Sequence, residues 1–502
     1  MSEPLIGAEA AARLERLFAK ANVKQSDRTR ALVAAVGEAG RAEARAAAAR
    51  LDSIGELVAV RMAELGECED WAVDTTDVVA SEVAAELRVS HSKALGQLRY
   101  ARAMRERLPR VAAVFRAGDI DLATFARVVF RTDLVDDELV MSFVDAELSA
   151  EVGGWTALTR GRLDAAVDTV VTRLDRDAVR RRRDAAEGRG VWIADRTDGL
   201  ADVSGMVFGT AAHALDQRLS ALAATVCDED GRSIDQRRAD AVLAMSAGAD
   251  RMACQCGRAE CPAADKPPAS PVLIHVIADA AATEGRGDNP GRELGTGALI
   301  PPELVSELAK SAGRRPLIFP GDAPPEPGYV PSRALADFVR ARDLTCRAPG
   351  CDKPAEDCDL DHTIPYGRGG VTHASNLKCL CRLHHLLKTF WGWHDEQLRD
   401  GTVIWTSPAG VKYVTTAGSA RLFPTLCLPT GPLPSIPQPA TATPGPSSER
   451  STNMPRRRQT RTRERARLIA AERQANQQDR CDRPTFGKRQ RRVTRELSPP
   501  PF

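Results

Sequence analysis

Five of the twelve cysteines and five of the eight histidines in this 502-residue chain fall between Cys346 and His394, and that crowding constrains the fold more than any other feature. Two pairs have chelate spacing: Cys346 and Cys351 with four residues between them, and Cys381 and His384 with two. Zinc takes four soft or borderline ligands in a tetrahedron, and two short pairs drawn from separate places in a chain supply them. The segment they enclose is about 40 residues long, below the size at which an apolar core holds a domain without metal or disulfides. A structural Zn2+ on Cys346, Cys351, Cys381 and His384 is therefore expected. Cys358 and Cys379 are rival ligands. Cys358 belongs to no compact pair, and Cys379 lies outside the turn from Cys381 to His384. Buried or free thiols are the plain alternative.

Composition agrees with metal rather than disulfides, because twelve cysteines in 502 residues are too few for a disulfide scaffold. A hydrophobic fraction of 43% is enough to fill real cores. Lysine and arginine number 70 against 68 acidic residues, so the net charge of +2 gives no whole-molecule argument for a polyanionic partner. The basic charge is concentrated instead: Met454 to Glu496 carries fifteen basic and five acidic side chains. Such a tail suits salt-sensitive phosphate contact. No apolar run reaches the roughly 18–20 residues of a membrane helix. The opening Met1-Ser2-Glu3-Pro4 has no signal-peptide pattern, so a cytoplasmic protein with no membrane partner is expected.

Along the chain, residues 1–29 read as a helical lead-in and 30–315 as a mostly helical domain with apolar positions at helical spacing, such as Leu32, Val33 and Val36. Val191 to Ile193 and Val203 to Phe208, around Asp198-Gly199, read as a hairpin. Residues 316–331 hold six prolines and form a linker or a surface strap. Ser332 offers an N-cap for a helix over Arg333 to Asp343. Residues 332–425 then carry the cysteine–histidine module and a small β extension. Residues 426–502 read as a disordered Pro-rich and basic tail. The expected class is mostly α, followed by a small zinc-stapled module.

Inside the zinc pairs lie Asp361-His362, Gly369-Gly370, Asn376 and His384-His385, with Lys388 three residues on. Adjacent residues on a helix project about 100° apart, so His384 can face zinc while His385 faces another site. Asp361 and His362 would oppose each other in a strand, so the strand must end there for both to serve one site. Asn376 can also be an N-cap for a helix starting at Leu377, and Lys388 a solvated lysine. In order, spacing and residue type these residues resemble the HNH, or ββα-metal, nuclease motif. The resemblance implies that His362 is the general base, that Asp361 and His385 hold a Mg2+ or another divalent cation, and that Asn376 fixes the loop around His362. It implies DNA as substrate, with Lys388 a candidate phosphate contact. Many members of the motif class carry cysteine where this chain has His384, so His384 and His385 can exchange roles.

The segments Arg105-Glu106-Arg107-Leu108-Pro109, Ala117-Gly118-Asp119-Ile120 and Arg238-Ala239-Asp240-Ala241 resemble the helical domain of unknown function 222 that precedes HNH modules in actinobacterial repeat-family proteins. That resemblance implies an architecture and no function for the helical region. Two readings follow. One is a metal-dependent endonuclease hydrolysing DNA phosphodiesters. The other is a non-catalytic DNA-binding or regulatory protein on a zinc-held, degenerate HNH fold, which would need only the zinc ligands. A helix-turn-helix over Val78 to Arg102, with Ser92, Lys93 and Gln97 toward DNA, is a further candidate. Cys254, Cys256 and Cys261 lie close enough to share a metal but lack a fourth ligand, and free thiols explain them equally well.

Overall fold

The computed structural model describes residues 26–434 and 453–482, apart from 156–157, 180–189, 197–199, 208, 259, 262, 264–274, 296 and 311. About half of it is helical, and its sheets have two or three strands. No described helix is long and apolar enough to cross a membrane. In chain order, α1 (Asp27–Leu65), α2 (Thr75–Leu87), α3 (His91–Glu106), α4 (Pro109–Ala117), α5 (Leu122–Arg131), α6 (Glu138–Glu151) and α7 (Arg160–Leu174) precede the hairpin of β1 (Gly190–Asp195) and β2 (Ala201–Met206). A helix pair, α8 (Gly209–Ala223) and α9 (Ile234–Ser246), follows. Next come β3 (Val276–Ile277), α10 (Ala280–Thr283), β4 (Gly291–Glu293), β5 (Leu299–Ile300) and α11 (Pro302–Ala309). The C-terminal part comprises α12 (Arg333–Asp343), β6 (Cys358–His362), β7 (Leu377–Cys381), α13 (Arg382–Phe390), the meander β8 (His394–Gln397), β9 (Val403–Thr406) and β10 (Lys412–Thr415), and α14 (Arg461–Asp482).

Two compact units emerge, and they do not follow the expected boundaries: one joins Met1–Val60, Gly96–Arg180 and Thr462–Phe502, the other Arg61–Leu95 and Arg181–Arg461. The physical reason for the second grouping is a shared core, in which Val73, Val78 and Ala85 lie in one buried cluster with Phe338, Leu387, Trp391 and Trp405. The lead-in over 1–29 falls almost wholly outside the described residues.

In the first unit the buried stripe of α1 begins at Ala44 and runs through Ala47, Ala48, Leu51 and Ile54, whereas Leu32, Val33 and Val36 are exposed. Helix α4 starts at Pro109 behind Leu108, which has no side chain able to cap it; Asp145 of α6 does so instead, accepting from the backbone N–H of Arg110 at 2.9 Å and Val111 at 3.0 Å. The expectation of a wholly disordered basic tail is corrected here. Residues 461–482 form α14, and its arginines meet carboxylates of this unit: Arg465 pairs with Asp133 at 2.7 Å, Arg473 with Asp175 at 2.7 Å and Arg480 with Asp177 at 2.8 Å. Asn476 is buried and donates to the carbonyls of Asp177 and Val179. A row of arginines at helical spacing becomes ordered once it finds a matching row of aspartates. Residues 435–452 and 483–502 of that tail lie outside the described residues.

In the second unit α12 begins as expected, with Ser332 capping Leu335 N. The segment 316–331 is a strap, not a free linker: Glu326 N donates to Thr372 O at 2.9 Å, and Ala323 O lies 3.0 Å from His373 Nε2. Leu377 opens a strand, so Asn376 caps no helix there; β7 pairs antiparallel with β6, setting Asp361 opposite Lys378 and His362 opposite Leu377. Below this hairpin, Arg342 is fully buried and donates to Asp343 and to the carbonyls of Ala374 and Leu377 at 2.8 and 2.7 Å, while Asp343 accepts from Cys379 N. A buried guanidinium with its donors satisfied ties α12 to the hairpin.

Candidate metal centre and active site

Cys346 enters the centre just after α12, Cys351 follows a tight loop, Cys381 ends β7, and His384 occupies the first turn of α13. Their four ligand atoms lie within 4.8 Å of one another. Cys381 Sγ is 3.2 Å and Cys346 Sγ 3.6 Å from His384 Nδ1, and the Sγ atoms of Cys351 and Cys381 are 4.0 Å apart. A tetrahedron with metal bonds of about 2.1–2.3 Å has edges of roughly 3.5–3.8 Å, so this donor set fits zinc. Cys381 N donates to Cys346 Sγ at 3.3 Å, which orients that sulfur. The two rival cysteines stand aside. Cys358 Sγ faces the Pro354 carbonyl at 3.2 Å, and Cys379 is sealed in the core beside Val339.

On the outer face of the hairpin a second constellation forms. Asp359 and Asp361 share one side of β6, two residues apart, and α13 brings His385 over both. His385 Nδ1 donates to Asp359 at 2.9 Å, so Nε2 is turned toward Asp361 Oδ1 at 3.5 Å. A carboxylate and an imidazole holding one hard cation at about 2.1 Å as neighbouring ligands stand roughly 3 Å apart, so Asp361 and His385 fit a shared divalent ion. The Asp359 contact adds the carboxylate that orients a ligating histidine through its other nitrogen.

The other oxygen of Asp361 is already taken. Lys378 Nζ lies 2.7 Å and Lys388 Nζ 2.6 Å from it, and both lysines also pair with buried Asp395, at 2.6 and 2.9 Å. Burial alone would raise the Asp361 carboxyl, but the two ammonium groups outweigh it and hold the pKa at about 2. Burial pulls the Lys388 ammonium down, aided by repulsion from Lys378. Lys388 spends its remaining donors on the His362 and Thr363 carbonyls. It faces inward to Asp361 rather than out toward a phosphate.

His362 ends β6. Its Nε2 lies 2.9 Å from Thr372 Oγ1, and its ring stacks on Tyr329 of the strap with centroids 5.3 Å apart. Thr372 donates its own proton to Tyr329 O, so its oxygen accepts from Nε2–H and Nδ1 is the basic nitrogen. Burial lowers the His362 pKa and so favours the neutral ring, partly opposed by Asp361. Among the described residues no hydrogen bond joins His362 to Asp361 or His385. Asn376 is fully buried and braces the loop beyond His362: its Oδ1 accepts from Ile364 N at 2.8 Å, and its Nδ2 donates to Ile364 O at 3.1 Å and Val371 O at 2.8 Å. The same loop admits only glycine at position 370, where a Cβ would lie 1.8 Å from Ile364 O.

Sequence reading missed Asp359, Thr372, Lys378 and Asp395. Asp359 had a signal, since it lies two residues before Asp361 on a strand. Lys378 and Asp395 had none, because their roles depend on strand register and on the later meander.

Residues 38–343 match the domain of unknown function DUF222, more than half of the chain. The chain belongs to the DUF222 family. This DUF222 protein is 44% identical over 470 residues to the uncharacterized protein Rv3776 of Mycobacterium tuberculosis, covering 88% of this chain and 89% of that one. It is 43% identical over 488 residues to the uncharacterized protein Rv2100 of the same organism, covering 89% and 88%. An uncharacterized protein in est 3'region, also from Mycobacterium tuberculosis, is 39% identical over 334 residues, covering 61% of this chain and 95% of that one. No solved structure matches the chain. The DUF222 match stops at Asp343, so both constellations described above lie beyond it.

Proposed function

We propose that this DUF222 protein is a metal-dependent endonuclease of the HNH type, hydrolysing phosphodiester bonds of DNA. The observation that carries the reading is the placement of Asp361 and His385 at 3.5 Å, with Asp359 orienting the imidazole, on a hairpin and helix whose other side gathers Cys346, Cys351, Cys381 and His384. Asp361 and His385 would hold the divalent cation. A Mg2+ or similar ion held there would supply positive charge to offset the charge developing in phosphodiester hydrolysis. His362, neutral and with Nδ1 basic, takes a proton from the attacking water. Asn376 fixes the loop that follows His362, and Tyr329 with Tyr366 forms an aromatic wall against the imidazole. The Cys–His centre holds Zn2+ and keeps β7 and α13 in register.

One observation favours a second reading, a DNA-binding or regulatory protein without catalysis. Lys378 and Lys388 neutralise Asp361 and Asp395 charge for charge, so Asp361 already has cationic partners where a divalent ion is needed. A single assay separates the two. Supercoiled plasmid incubated with purified protein and Mg2+, Mn2+ or Ca2+ should be nicked or cut, and His362→Ala should slow the cleavage about 10²–10⁴-fold. Equal cleavage by wild type and variant removes His362 from the mechanism. Retarded but intact plasmid with every cation supports the binding reading.

A further inference from the structure

The helix pair α8–α9 carries a second convergence of soft ligands, remote in function from the site above. Cys227, Cys254, Cys256 and Cys261 bring their sulfurs within 4.8 Å of one another, with Cys227 Sγ and Cys254 Sγ at 3.5 Å. The sequence placed only three of these together. Cys227 arrives from the end of α8, because the antiparallel return through α9 lays the segment 249–256 against 222–230.

The geometry is braced by groups other than the thiols. Asp230 is buried and accepts from Gln255 N at 2.8 Å and Arg232 N at 3.1 Å, while its carboxylate takes both arms of the Arg232 guanidinium at 2.9 and 2.8 Å. Arg232 also donates to Ala253 O at 2.9 Å, and Met252 N donates to Thr225 Oγ1 at 2.9 Å. These bonds fix the backbone on both sides of Cys227 and Cys254 before any ligand is considered. The apolar support is slight. The buried cluster here is Leu222, Val226, Ala241, Ala244, Ala249 and Met252, while Ile234 and Leu243 of α9 face solvent. So small a core leaves the pair dependent on a cross-link.

Two cross-links are chemically open to four thiols. A disulfide needs sulfurs about 2.05 Å apart and uses them two by two. Zinc takes all four at once, with S···S edges of roughly 3.8 Å. The observed convergence matches the second. We propose that Cys227, Cys254, Cys256 and Cys261 form a structural tetrathiolate zinc site that staples α8 to α9. All four positions around the ion are filled by protein sulfur, so the site is closed to water and substrate and contributes to folding rather than catalysis. It is independent of the nuclease reading.

The test is metal stoichiometry in the full chain, purified without chelator. Wild type should hold two zinc ions per chain, and Cys254→Ser/Cys256→Ser and Cys381→Ser one each. X-ray absorption at the zinc edge of the wild type should fit seven sulfurs and one nitrogen shared over two ions. That measurement stands even if a variant fails to fold. Two zinc ions retained by Cys254→Ser/Cys256→Ser overturn the proposal. So does a single wild-type ion that survives this double substitution and is lost in Cys381→Ser. A single ion lost in the double variant but kept in Cys381→Ser supports this site and counts against the Cys346 centre instead. Disulfides at Cys227 and Cys254 in freshly purified, zinc-free protein would also overturn it.

Discussion

The helical unit and the hairpin around Asp361 both rely on ion pairs, but they place them in opposite surroundings. Arg465 is half exposed where it meets Asp133, and Arg173 of α7 is half exposed where it meets Glu147 of α6 at 2.7 Å. Around Asp361, Lys378 and Asp395 are buried, as are Arg342 and Asp343 beneath them. Water can replace a lost partner in the first case and cannot in the second. Exposed pairs are therefore tolerant of change and few of them matter singly, whereas a buried set must be complete. The same contrast separates a unit built by apolar helix packing from one whose short hairpin is set over buried, paired charge.

The largest effect should come from the zinc centre. Stripping the metal or making Cys381→Ser removes a ligand set whose contribution in comparable centres is of order 10 kcal/mol. Hydrogen exchange over Cys346 to Phe390 should rise to the unfolded rate while α5 and α7 stay protected; protection unchanged in both places would show that the hairpin does not need the ion. Next, Lys378→Met leaves Asp361 and Asp395 with Lys388 alone, and should lower stability by about 3–5 kcal/mol as read by the urea midpoint. The contrast between buried and exposed charge fails if this variant is no worse than Arg465→Ala. That exchange cuts one half-exposed pair and should cost at most about 1 kcal/mol.

The smallest effect is a pH dependence. Burial would raise the Asp133 carboxyl, yet Arg99, Arg465 and Arg107 together hold it below its usual value. A carboxylate with a depressed folded-state pKa stabilises above its unfolded pKa, and that stabilisation is lost as pH falls through the folded one. Asp133→Asn should accordingly flatten the acid side of the stability profile of the full chain. An acid limb identical to wild type would mean that these three guanidiniums do not act on Asp133 in solution.

How much of this was legible in advance depended on the distance over which each group acts. Ser332 as a cap and the helix it opens were readable because a cap and its helix are neighbours in sequence. The hairpin register was not, and with it went the expectation of a helix from Leu377: the run Leu377 to Cys381 is apolar enough for either state, and pairing with Cys358–His362 decided for strand. The strap at 316–331 showed its prolines, but not that Tyr329 would stack on His362. The basic tail showed its charge, but not that Asp133, Asp175 and Asp177 were waiting for it.

The chain by itself marked Cys346, Cys351, Cys381 and His384 as paired candidates and supplied Asp361, His362, Asn376 and His385, because chelating pairs and motif spacings are local and their chemistry survives any packing. Only the tertiary structure decided that Cys227 completes a second group of four, that Lys378 and Asp395 surround Asp361, and that Lys388 turns inward. Those outcomes depend on segments far apart in the chain meeting with specific burial, and burial, which sets both the strength of a charge and the cost of leaving it alone, is a property of the folded molecule.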